Sequence, residues 1–434
     1  MLNFALLRLI LLRLGRLSRR KWLIFLGTCL IIFLTSFLIL DSILLIINQF
    51  TNFYHWLDCL SGKMLARQEV CISYEKGKIA GNLCPDWCSG STSILQSCPS
   101  SKTFHVGKEC IFRGQWKESD IIVKAKKLKV TNMIDEDIKL TREETIQGIH
   151  AIITTDFEGT EIDPSYLTIP WFGSSVKLSS LTNKELNSLW TLAQDNEYIY
   201  STFFGQLTQW NSVKLLPQVL GTCGHFYAVE YIPEAIQFFD VIPEKSSLHL
   251  FKSSFSKRLS ISHMFLKFLY HLESGNYNLQ LCDVKYDQFA MKNGTILLID
   301  SDMLYPSEVV QESIQHIDSC IKDEDCDFID CKGRCKPSKV GGTCDIDIDS
   351  DSNLKRICRN LFFIDEISTK DLVKSSSQIN AGLLSHFPLS YQSDIYKLKQ
   401  LCSGRIKESE MISTIKKMID LTSAIQSRTY PLNG

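Results

Sequence analysis

Several familiar signatures are missing from this chain, and each absence narrows what it can do. It has no excess of positive charge: 47 Lys and Arg stand against 48 Asp and Glu, for a net charge of -1 over 434 residues. Nucleic-acid binders neutralise phosphates with a basic surface. The one dense basic run here lies at the extreme N-terminus, so a nucleic-acid partner is excluded. There is no G-x-S-x-G elbow, no H-E-x-x-H helix and no Ser-His-Asp arrangement, which removes the usual carriers of hydrolase chemistry. No repeat of fixed period is present, and no paired C-x2-C or His-rich set completes a four-ligand zinc site.

Cysteine, by contrast, is plentiful, with sixteen residues. Cys29 falls in an apolar run; of the rest, six lie between Cys59 and Cys110 and six between Cys320 and Cys358, with Cys223, Cys282 and Cys402 outside. Such density suits an oxidising compartment, and most of these cysteines are read as disulfides. Their odd number, fifteen from Cys59 onward, leaves a free thiol or an intermolecular bond. Zinc is the competing reading at Cys84-x3-Cys88 and Cys331-x3-Cys335, weakened by the missing ligand pairs.

Residues 22–47 read as a transmembrane signal anchor. Trp22 to Leu40 carries no charge, and the apolar character resumes after Asp41 through Ile47. A helix here reaches about 30 Å, enough to cross a bilayer. No small-x-small cleavage site follows it. Arg8, Arg13, Arg16, Arg19, Arg20 and Lys21 precede it with no acidic residue among them, which keeps residues 1–21 in the cytosol and sends the C-terminal bulk to the luminal side.

Residues 48–104 are cysteine-rich and polar, a small cross-linked module by composition. From 105 onward the chain reads as α+β, strand-rich first and helical later. Cys110–Phe112 and Ile121–Val123 suggest a hairpin, 180–210 a helix, Val213–Leu220 and His225–Ile232 strands, and Ile261–Leu272 a helix. Leu279–Val284 and Ile296–Ile299 flank Asn293-Gly294, a dipeptide suited to a tight turn. Both runs end in carboxylates, Cys282-Asp-Val-Lys285 and Ile299-Asp-Ser-Asp302. Carboxylates leaving buried strands beside a lysine suit a divalent cation and a phosphate-bearing substrate; the competing reading is that they only cap turns.

Order and spacing add a resemblance. Gly107, Cys110-Ile-Phe-Arg-Gly-Gln-Trp116 and Ile121-Ile-Val-Lys124 resemble the glycine loop, second strand and V-A-I-K strand of protein kinases. Tyr227-Ala-Val-Glu-Tyr-Ile232 is similar to a kinase hinge, Asp283-Val-Lys285 to the catalytic loop, and Asp300, seventeen residues on, to the metal-binding aspartate. With the signal anchor and the cysteine clusters, the whole chain resembles the divergent protein kinase domain 1 family, cysteine-rich type II membrane proteins of the endoplasmic reticulum. The resemblance implies a two-lobed protein-kinase-like fold at 105–434 and a site for ATP with Mg or Mn. Lys124 would hold the α- and β-phosphates, paired with Glu197, or with Glu185 as second candidate. The backbone at Glu230 and Ile232 would meet adenine, and Asp283, beside Lys285, would take the proton of the substrate hydroxyl. Asp300 and Gln288 would bind metal. An EF-hand-like insert, residues 130–180, would place Asp135, Asp137 and Glu144 at calcium-ligand positions, though Met133 and Ile138 damage the loop. A cysteine-rich insert spans 305–360, and its acidic run Asp345–Asp351 reads as a solvated loop. The location implied is the endoplasmic reticulum membrane, with the Golgi as the alternative.

The sequence also departs from the active-kinase pattern. Gln288 stands for the asparagine that holds a second metal ion, Leu281-Cys282 for His-Arg, and Asp302 for the DFG glycine, while the glycine loop keeps only Gly107. Loss of that arginine removes the clamp on a phosphorylated activation loop. Two functional readings follow: a luminal kinase acting on secretory-pathway proteins, and a pseudokinase or disulfide-rich module acting through a luminal partner. Asn293-Gly-Thr295 is in addition a glycosylation sequon on a hairpin tip.

Overall fold

The computed structural model describes residues 67–89, 95–97, 109–126, 141–156, 178–204, 214–235, 254–275, 278–317, 319–336, 338, 341–346, 351–363 and 382–429. The chain divides into two compact units, residues 1–65 with 98–106, and residues 66–97 with 107–434, and all described residues belong to the second. The cytosolic tail and signal anchor expected over 1–47, and the candidate residues Gly107, Asp135 and Asp137, lie outside the described residues. Among the described residues no helix is long and apolar enough to cross a membrane.

A five-stranded antiparallel sheet, in the order β1-β2-β3-β5-β4, comprises β1 (Leu95–Ser97), β2 (Glu109–Trp116), β3 (Ser119–Lys126), β4 (Val219–Cys223) and β5 (Phe226–Glu230). The hairpin expected over 110–124 is β2–β3, closed by Lys117 and Glu118 at φ 47° and 67°. Two successive left-handed residues give the turn whose twist matches antiparallel strands. Strand alternation then sends Ile121, Val123 and Ala125 to one buried face and Ile122 and Lys124 to the other. Lys124 thus points the same way as Ile122, which packs on the main core.

The segment 66–97 belongs to the same compact unit as residues 107–434. Cys84, in α1 (Cys84–Cys88), is disulfide-bonded to Cys223 of β4. Leu83 N donates to Thr222 O at 3.0 Å and Trp116 Nε1 to Asp86 Oδ2 at 2.7 Å, while Trp87 meets Phe226 edge-on at 5.1 Å. A Cβ at Gly81, where φ is 150°, would lie 2.0 Å from Thr222 O, so only glycine permits this approach. Closing a loop of 139 residues restricts the unfolded chain strongly. The pair Cys84→Ser, Cys223→Ser is expected to cost on the order of 2–5 kcal/mol in urea unfolding.

After β3 comes α2 (Arg142–Asp156), and the single helix expected over 180–210 is two, α3 (Asn183–Ala193) and α4 (Asn196–Phe204). Asp195 causes the break: its Oδ1 accepts from Glu197 N at 3.1 Å and Tyr198 N at 3.4 Å, starting a new helix where the apolar pattern alone continued. Helix α5 (Phe255–Ser274) begins at Ser254, whose hydroxyl accepts from Lys257 N, and its Phe265 and Phe268 pack edge-on against Phe289 at 4.9 and 5.7 Å.

Strand pairing around the carboxylates also differs from expectation. The short β6 (Glu234–Ala235) pairs with β8 (Phe289–Lys292), and β7 (Leu279–Leu281) pairs with β10 (Leu304–Pro306), whereas the Asn293-Gly294 turn, with φ 51° and 74°, joins β8 to β9 (Thr295–Leu298). The expected strand Leu279–Val284 ends at Leu281, because Cys282 N turns to Met303 O and Val284 N to the Asp330 side chain.

Beyond β10 come α6 (Ser307–Gln315) and the hairpin of β11 (Gly333–Lys336) and β12 (Thr343–Ile346), knotted by Cys320–Cys335 and Cys326–Cys344. Then follow α7 (Asn353–Ile357), α8 (Gln392–Ser403) and α9 (Glu408–Thr429), with Cys358–Cys402 joining the end of α7 to α8. The acidic run expected to be solvated is not uniformly so. Asp345 pairs with Lys336, but Asp351 is buried, bonded to Arg356 Nη1 at 2.6 Å and Arg359 Nη1 at 3.0 Å.

Candidate active site

Lys124 is 7% exposed and Glu197 2%. The Lys124 ammonium bonds the Glu197 carboxylate and donates to Ile299 O at 2.8 Å. Taking two charges out of water costs several kcal/mol per ion, so a pair this deep is poorly explained as a stabiliser. Position makes it available: β3 aims Lys124 inward, and the Asp195 cap starts α4 so that Glu197 sits in its first turn. The second candidate, Glu185, is used elsewhere. Its Oε2 accepts from Thr182 N at 2.7 Å and Thr182 Oγ1 at 2.6 Å, a capping box at the start of α3.

The carbonyl that Lys124 grips belongs to the residue before Asp300. Asp300 Oδ1 is buried and accepts no hydrogen bond, and the neighbouring Ser301 hydroxyl is likewise buried without a partner. A buried carboxylate oxygen left unsatisfied is expensive. A hard divalent cation such as Mg or Mn would satisfy it, and the oxygen donor suits those ions.

Asp283 lies in the loop after β7, its side chain 13% exposed. Its Oδ2 accepts from Lys285 Nζ at 2.8 Å and from Gln288 Nε2 at 2.7 Å. Gln288 is itself buried, with Oε1 accepting from Lys285 N at 3.3 Å. Its amide therefore bridges Asp283 and the loop backbone. For Lys285, burial disfavours the charged form, but the hydrogen bond to Asp283 and the charges of Asp283, Asp287 and Asp330 outweigh it and raise the pKa.

At the hinge position, Glu230 N donates to Gln218 O at 3.1 Å and the Glu230 carboxylate pairs with Lys292, while Ile232 is buried against Ala290 and Leu297. Glu144, in the first turn of the helix Arg142–Asp156, closes a capping box with Thr141: its Oε2 accepts from Thr141 N at 2.7 Å and Thr141 Oγ1 at 2.9 Å. Those bonds hold its carboxyl below the ordinary range. Asn293 is exposed on its turn. Among the described residues the one close trio of metal-type side chains is Cys320, Cys326 and Cys344, all in disulfides and so without thiolates for zinc. The cysteines at 84, 88, 331 and 335 are likewise all disulfide-bonded.

Two family models match the chain. Residues 15–157 match one described as the N-terminal cysteine-rich endoplasmic reticulum region of FAM69, and residues 189–402 one described as the protein-kinase domain of FAM69. The chain belongs to the FAM69 family. Lys124 falls in the first match, and Glu197, Asp283, Gln288 and Asp300 in the second. The disulfides of this FAM69 chain fit the endoplasmic reticulum named for its N-terminal region.

Sequence reasoning missed the residues that hold the Asp283 loop. Asp330 Oδ2 accepts from Val284 N at 2.8 Å and from Asn360 Nδ2 at 2.7 Å. Asp330 N donates to Cys282 O at 2.8 Å, Arg359 Nη2 to Asp330 O at 2.9 Å, and Cys331 is disulfide-bonded to Cys282. Asn353 Oδ1 accepts from Leu281 N at 2.8 Å. Cys282 standing for the kinase arginine was the one visible signal, and it did not name its partner.

Proposed function

We propose that this FAM69 chain is a luminal kinase that binds ATP with Mg or Mn and transfers the γ-phosphate to a hydroxyl of a secretory-pathway protein. One observation carries the reading: Lys124 is paired with Glu197 and bonded to the carbonyl that precedes Asp300, whose Oδ1 is buried with no hydrogen-bond partner. Lys124 would meet the α- and β-phosphates, and Asp300 would hold the cation, which when bound neutralises charge on the phosphates.

Asp283 would accept the proton of the attacking hydroxyl. The new bond joins that oxygen to the γ-phosphorus, the bond to the bridging oxygen breaks, and ADP leaves. Lys285 and Gln288 fix the carboxylate that takes the proton. Gln288 serves here by orienting Asp283. Residues 22–47 would anchor the chain with residues 1–21 in the cytosol, and Asn293 would carry a glycan on the luminal side.

The test is thermal denaturation of the purified full-length chain with ATP and Mg or Mn. A ligand present at about 100 times its Kd adds roughly 2.7 kcal/mol, which shifts the transition upward. Asp300→Ala is expected to remove that shift. A wild-type chain that gains no stability from ATP with either metal would overturn the reading.

A further inference from the structure

We propose that Asp330 is the positioning residue of the Asp283 loop, delivered there by the Cys282–Cys331 disulfide in place of an arginine clamp. This rests on the reading of Asp283 as proton acceptor. The position before Asp283 holds cysteine instead of arginine, and that cysteine is bonded to a residue of the cysteine-rich segment 48 positions beyond Asp283. The tether places Asp330, one residue earlier, so that its carboxylate takes Val284 N and its own N–H returns to Cys282 O. Both peptide groups flanking Asp283 are thus held from one residue. Asn360 and Arg359 hold that residue in turn, one on its carboxylate and one on its carbonyl.

A second feature points the same way. Ile329, beside Asp330, has φ 57°. For a β-branched residue this left-handed conformation is unfavourable and persists only where the surroundings enforce it. Here the enforcement is visible: Phe328 and Cys331 exchange two backbone hydrogen bonds of 2.8 and 3.0 Å around the turn, and the disulfide and the Asp330 bonds pin its far end. Ile329 itself is 45% exposed and gains no burial in return. The turn is held in an unfavourable shape that aims Asp330 at the loop. A fixed tether of this kind needs no phosphorylation to set the loop. Misplacing a reacting group by about 1 Å costs on the order of 100-fold in rate, so the tether is expected to act on turnover and not on ATP affinity.

Full-length wild type, Asp330→Ala and Asp330→Asn would be compared by hydrogen exchange over residues 281–288 and over β3, and by phosphate transfer from ATP. Asparagine keeps an acceptor for Val284 N, and alanine does not. The expected result is exchange at Val284 about tenfold or more faster in D330A, near wild type in D330N, and unchanged β3 in both. In transfer, kcat falls about 10- to 100-fold in D330A with KM for ATP unchanged, and D330N restores it. The proposal is overturned if D330A protects Val284 as wild type does, if β3 loosens equally, or if D330N behaves as D330A. A wild type that transfers no phosphate sinks the kinase reading alone, and the exchange result still decides the role of Asp330. Cys282→Ser with Cys331→Ser is expected to reproduce the D330A exchange pattern, and exchange as slow as wild type there would remove the disulfide from the proposal.

Discussion

Asp283→Ala is expected to lower phosphate transfer to luminal proteins by two to four orders of magnitude while ATP affinity changes by no more than about threefold. The magnitude is that of removing a positioned general base. The separation of rate from affinity follows from place. Asp283 is held by Lys285 and Gln288 in the loop after β7, whereas Lys124 bonds Glu197 and the Ile299 carbonyl. Transfer of labelled γ-phosphate by wild type and D283A, with ATP binding measured in parallel, checks both halves. Equal transfer by the two proteins, with wild type active, would remove Asp283 from the chemistry. Wild-type ATP binding with no transfer in either would favour the pseudokinase reading.

The second large effect concerns the buried pair. Glu197→Ala leaves the Lys124 charge buried without its carboxylate, which costs about 3–5 kcal/mol. ATP-dependent stabilisation is expected to disappear with it. Replacing both partners by apolar side chains, Lys124→Met with Glu197→Leu, is expected to recover most of the lost stability, since a buried pair is often no better than well-packed hydrocarbon. ATP binding would not return. Urea unfolding of the wild type and these two variants, with and without ATP, separates the two roles. If the double variant binds ATP as wild type does, the pair is structural.

How much of this was readable in advance follows from chain distance. Lys124, Asp283 and Asp300 stand out as polar residues within or at the ends of apolar strands, and a local pattern suffices to name them. Choosing Glu197 over Glu185 needed more. Both lie on an apolar helical pattern, and only the Asp195 break and the Thr182 capping box show which one turns inward. The Asn-Gly turn was legible, but its strands were misassigned, because β8 is only four residues long and β7 has a partner on the far side of Asp300. Asp330 and Asn353 act through hydrogen bonds that reach across 46 and 72 residues, and no periodicity carries such information. The acidic run differs for another reason: Asp351 meets Arg356 and Arg359 only five and eight residues on, and a run of acidic residues does not show which of them is buried in such a pair.

The Cys84–Cys223 bond also dictates an order of events during biosynthesis. Its two halves are 139 residues apart. At about 5–20 residues per second, roughly seven to thirty seconds separate their emergence from the ribosome. Throughout that interval the Cys84 thiol waits beside Cys88 and Cys71, which bond to each other. Of the cysteines in the described disulfides, Cys84 waits longest for its partner and is therefore the most open to premature pairing, and the segment around α1 is fixed to the sheet only after the strand bearing Cys223 has arrived. Maturation of this chain is correspondingly expected to depend on enzymes that reshuffle disulfides.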